Sequence, residues 1–65
     1  MSNALNNRQP SNTLTYEDAI QIHLRHRAGE FQNRIAASFD VNPGRVNEVV
    51  KGKRFPEALS DPRLA

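Results

Sequence analysis

The 65-residue chain reads as an all-α protein, a three-helix bundle with flexible N- and C-terminal tails. Three observations predict it. Apolar residues recur at helical spacing in three short stretches, a capping or stop residue borders each stretch, and a turn of about three residues separates the second helix from the third.

The first helix opens at Thr15, with Asp18 three residues later as a shortened capping box, and runs over about residues 16–28 to a stop at Gly29. Tyr16, Ala19, Ile20, His23 and Leu24 share one face, and Ile22 lies to the side of that stripe, either packed under Phe31 or Phe55 or in a subunit contact. The second helix begins near Phe31 or Gln32. Phe31, Ile35 and Phe39, spaced four apart, are expected to lie against the other two helices.

The turn follows from its own residues. Asp40 stands where the chain needs a left-handed residue, Asn42 supplies a capping oxygen, and Pro43 takes the first helical position, where a missing N–H does no harm. Ala36 falls where the two helices approach most closely. In the third helix, residues 43–51, Val46, Val49 and Val50 form the inward stripe, and Gly52 ends it. Phe55 is expected to fold back over the core.

Three segments result: a disordered arm over 1–14, a folded unit over 15–55 and a tail over 56–65 marked by Pro56 and Pro62. The arm holds Arg8, which alone is little evidence for a minor-groove contact. Ser2-Asn3-Ala4 resembles a cloning remnant and carries no functional weight. A compact unit of about 40 residues is near the lower size limit for stability without disulfides or metal, so a homodimer through the first helix, or a larger partner, is expected.

Charge is concentrated. Residues 45–54 carry Arg45, Lys51, Lys53 and Arg54 against Glu48, a net +3 in a chain of net +2, so the remainder is −1. A basic patch at one end of a helix is the footprint expected where a protein meets phosphate. With the valines inward, Gly44, Asn47, Glu48 and Lys51 face outward and Arg45 lies on the flank. Asn pairs with adenine, Arg and Lys with guanine, and Glu accepts from cytosine, so this face suits base edges in a major groove. Gly44 lets the backbone approach a phosphate closely. Glu48 is the discriminating residue: opposite phosphates a carboxylate opposes binding unless it accepts from a base. Its removal is expected to raise non-specific affinity and relax sequence preference.

The runs Leu14-Thr15-Tyr16-Glu17-Asp18, Arg27-Ala28-Gly29-Glu30, Arg34-Ile35-Ala36-Ala37-Ser38-Phe39-Asp40-Val41-Asn42 and Val46-Asn47-Glu48-Val49-Val50-Lys51-Gly52-Lys53-Arg54-Phe55 resemble the small homeodomain-like helix-turn-helix domains of bacteria and phages. Recombinases of the Hin and resolvase type end in similar domains. The likeness covers about residues 14–55 and implies a third helix in the major groove of double-stranded DNA. It implies base contacts from Asn42, Gly44, Arg45, Asn47, Glu48 and Lys51, and backbone contacts from Lys51, Lys53 and Arg54. Asp40 departs from the usual turn glycine, Phe31 from a small capping residue, and Phe55 from tryptophan.

The expected function is a sequence-specific DNA-binding protein, a small transcriptional regulator of the cytoplasm associated with the nucleoid. The alternative is a protein-interaction module that binds a larger regulator. An enzyme is not expected, nor a cofactor, a small-molecule substrate or a membrane partner. His23 and His26 with Glu30 offer an imaginable metal set, but so small a chain can hardly enclose a catalytic pocket; His23 reads as a packing residue. The chain has no cysteine, which excludes disulfides and thiolate metal sites.

Overall fold

A computed structural model describes residues 13–65, and the expected N-terminal arm lies outside them except for its last two residues. Those residues form three α-helices, α1 (Tyr16–Arg27), α2 (Gln32–Phe39) and α3 (Pro43–Val50), followed by two 3-10 turns, Pro56–Ser60 and Pro62–Leu64, with no strand among them.

Local chemistry accounts for the helix ends. At α1 the Thr15 side chain accepts from the Asp18 N–H while the Asp18 carboxylate accepts from the Thr15 N–H, a complete capping box despite the short acid. All three helices stop in the same way. Gly29, Asp40 and Gly52 adopt left-handed backbone, and each stop carries the paired bonds of a Schellman motif. These run from Gly29 N to His26 O and Glu30 N to Arg25 O, from Asp40 N to Ala37 O and Val41 N to Ala36 O, and from Gly52 N to Val49 O and Lys53 N to Glu48 O. Asp40 does at φ 61° what glycine does at the other two.

Ile20, Ile22, Ile35, Val46 and Val49 are the largest fully buried side chains, joined by Ala19, Ala36, Val41 and Leu14. Ala36 is almost without exposure, as a close α2 to α3 approach requires. Phe39, Val50 and Phe55 pack at the margin, and the Phe55 ring stands edge-on to Tyr16 at 6.5 Å between centroids.

Four expectations are corrected. The residues 56–65 are not a flexible tail: Ala58 and Leu64 are buried in the core. Tyr16 donates its hydroxyl to Asp61 at 2.7 Å, Arg63 reaches Glu17 at 2.8 Å, and Arg27 donates to the Leu64 carbonyl. The prolines that suggested a tail start two 3-10 turns instead. Leu24, placed on the core face of α1, is 39% exposed, while Ile22, beside that stripe, is wholly buried because α1 packs against α2, α3 and both turns, which widens its buried arc. Phe31 is 71% exposed. It precedes α2 with an extended backbone, so the four-residue helical spacing does not carry its ring toward Ile35. Leu14, assigned to the arm, belongs to the core.

Candidate nucleic-acid interface

The turn between α2 and α3 consists of Asp40, Val41 and Asn42. Val41 is buried, which anchors the turn to the core, and the Asn42 side-chain oxygen accepts from the Gly44 N–H at 2.7 Å. That bond caps α3, with Pro43 at its first position. A Cβ on residue 44 would stand 3.1 Å from the capping oxygen. Glycine therefore makes room for the cap, and its N–H is already committed to Asn42.

Val46 and Val49 turn wholly inward and set the rotation of α3. Asn42, Gly44, Arg45 and Lys51 are exposed along its outer side, and Lys53 is exposed just beyond it. Asn47 departs from the expected outward placement. It is half-buried, and its Nδ2 donates to Gln32 Oε1 on α2 at 3.2 Å, while Gln32 Nε2 lies 3.5 Å from His26 Nε2 on α1. A polar line thus runs across all three helices. Nothing in linear spacing pairs residues 32 and 47, so Gln32 had no signal in the sequence.

Glu48 is also held within the protein. Its Oε1 accepts from Arg54 Nε at 2.9 Å and lies 3.5 Å from Arg45 Nη1. The hydrogen bond from Arg54 holds its carboxyl below the usual carboxylate range, with the charges of Arg54 and Arg45 acting in the same direction. Lys51 and Lys53 make no ion pair among the described residues.

A second basic area lies on the other side of α2. Arg25 bonds Glu30 through Nε at 2.8 Å and Ser38 Oγ through Nη1 at 2.6 Å, and its guanidinium lies 5.7 Å from the Phe39 ring centre. With Arg34 and Ala37 these residues line a shallow open depression. It buries no polar side chain in the way a ligand pocket does.

His23 is the buried polar residue of α1, 5% exposed, and its Nε2 meets no hydrogen-bond partner among the described residues. Burial first, and then the neighbouring Arg27 and His26, push its pKa below the ordinary imidazole value. Among the described residues no group of three His, Asp or Glu side chains is placed to hold a metal ion, and no helix is long and apolar enough to cross a membrane.

Compared with protein families, curated proteins and solved structures, the chain matches none of them.

Proposed function

We propose that the protein is a sequence-specific DNA-binding protein of homeodomain-like helix-turn-helix type, a small transcriptional regulator that inserts α3 into the major groove of double-stranded DNA. One observation carries this reading. A helix fixed by buried Val46 and Val49 presents Arg45 and Lys51, with Lys53 just beyond its end, and the only acid on that helix is taken up by arginines of the same patch. A positive surface of that form is complementary to a polyanion.

Within it, Arg45, whose Nη1 lies 3.5 Å from Glu48 Oε1, and Lys51, which makes no ion pair among the described residues, have side chains long enough to reach base edges. Lys53 and Arg54 suit the phosphate backbone. Asn42 and Gly44 lie at the helix N-terminus, where their bond to one another organises the entry of α3. A single module of this size covers roughly 600–1,000 Å² of DNA-facing surface, too little for high specificity alone, so two copies on a paired site complete the reading.

The competing reading, a module that binds a larger regulator, draws on the exposed Phe31 and Leu24. Selection of bound duplexes from a random pool at two salt concentrations separates the two. Enrichment of a two-fold symmetric motif supports DNA reading by paired copies. No enrichment even at low salt overturns it in favour of a protein partner.

A further inference from the structure

A carboxylate on the outer side of a DNA-reading helix should repel the duplex, yet the Glu48 acid is spent on two arginines. Both Arg54 Nε and Arg45 Nη1 lie within 3.5 Å of one oxygen, Glu48 Oε1. The main-chain carbonyl of Glu48 also accepts from Lys53 N at 2.9 Å and Arg54 N at 3.2 Å. The first of those is the ordinary Schellman bond that ends α3, and the second extends it to Arg54. Residue 48 therefore grips the basic loop by main chain and side chain together.

The way Arg54 is held has a geometric consequence. A guanidinium has five donors in a rigid plane, and here the bond to Glu48 is made by Nε on its flank. The edge formed by Nη1 and Nη2 makes no hydrogen bond among the described residues, and with the Nε flank taken by Glu48 it is the edge left to engage an oxyanion in bidentate fashion. A long side chain held in this way has surrendered part of its rotamer freedom before binding, which favours association.

We infer that Glu48 is a positioning residue for DNA binding: it holds the flank of Arg54 so that the Nη1 and Nη2 edge meets one phosphate of the duplex. This rests on the DNA-binding reading and deepens it. It also reverses what the sequence suggests, since the acid assists binding through its arginine partners instead of reading cytosine or opposing phosphate.

The test measures duplex affinity across a salt series for wild type, Glu48→Gln, Glu48→Ala and Arg54→Ala, with melts of each variant to verify folding. Glutamine keeps an oxygen able to accept from Arg54 Nε, so Glu48→Gln retains the wild-type salt slope. Glu48→Ala and Arg54→Ala each reduce the slope by about one unit, the loss of one phosphate contact. In the Arg54→Ala background, Glu48→Gln and Glu48→Ala become equivalent. Should Glu48→Ala fail to fold, Glu48→Met, which keeps the length of the side chain but offers Arg54 Nε no acceptor oxygen, takes its place with the same expected loss of about one unit of slope, and a wild-type slope in it overturns the inference.

Tighter binding by both Glu48 variants with an unchanged slope overturns the inference, for Glu48 would then be only an opposing charge. An unchanged slope in Arg54→Ala overturns it equally. Wild type that binds no duplex at low salt overturns the DNA-binding reading itself, and that result is visible before any variant is made.

Discussion

Asp40 and Phe55 are the non-glycine residues with left-handed backbone among those described, and they bracket α3 with its basic loop. Such a conformation is disfavoured for a residue with a Cβ, so the surroundings must impose it. At Asp40 the Schellman bonds do so, and at Phe55 the ring is held against Tyr16. Gly52 occupies the same structural position at the end of α3 as Asp40 does after α2. Gly52→Ala is expected to lower stability by about 1–2 kcal/mol through the left-handed backbone, and a Cβ there would also stand 2.7 Å from Leu59 Cδ1, which must shift; Gly52→Asn meets the same contact but recovers part of the backbone cost, as urea unfolding would measure. Equal stability of Gly52→Ala and wild type would contradict the assignment. His23 makes a different residue-scale prediction. Its folded-state pKa lies below the ordinary value of 6.5, so the unfolded chain takes up the proton first. Stability from this group is full above about pH 6.5, falls as pH drops below it, and levels off once the folded imidazole is also protonated. Thermal midpoints followed from pH 8 to pH 5 should show that decline in wild type and less of it in His23→Leu; parallel profiles would refute the burial argument.

At the scale of elements, the C-terminal segment matters most, because it converts a minimal three-helix unit into one with more core. Tyr16, Glu17 and Arg27 of α1 bond residues 61, 63 and 64. Arg63 and then the Tyr16 hydroxyl hold the Asp61 carboxyl well below the usual carboxylate range. Leu64→Ala is expected to destabilise by about 2–5 kcal/mol, the range for a buried leucine. Less than about 0.5 kcal/mol in denaturant unfolding, typical of surface sites, would return the segment to the status of a tail. The prolines at 56 and 62 misled for a physical reason: proline marks the start of a helical turn as readily as the end of structure, and only the partner surface on α1 decides which. The boundaries of α1, α2 and α3 were legible because caps and stops are local chemistry. The exposure of Phe31 and Leu24 was not, since each depends on where the neighbouring elements lie. On the site, the exposure of Arg45 and Lys51 was readable from the valine stripe. The engagement of Asn47 with Gln32 and of Glu48 with Arg54 was not, because polar side chains choose partners across a turn that periodicity does not describe.

For the whole molecule, the charge distribution and the fold converge on one surface. The net +3 of residues 45–54 exceeds the +2 of the entire chain, and it is carried mostly by Lys51, Lys53 and Arg54 at and just beyond the C-terminal end of α3, whose inner side is core. If about four phosphates are neutralised, log affinity should fall against log salt with a slope of roughly −3.6. The competing reading draws on two exposed apolar side chains, Leu24 of α1 and Phe31 just before α2. An amide chemical-shift titration of the isotope-labelled protein with a short duplex separates the two readings in one measurement. The largest changes are expected on residues 42–54, shrinking as salt is raised. Changes confined to Leu24, Phe31 and their neighbours, or none at low salt, would contradict the DNA-binding reading.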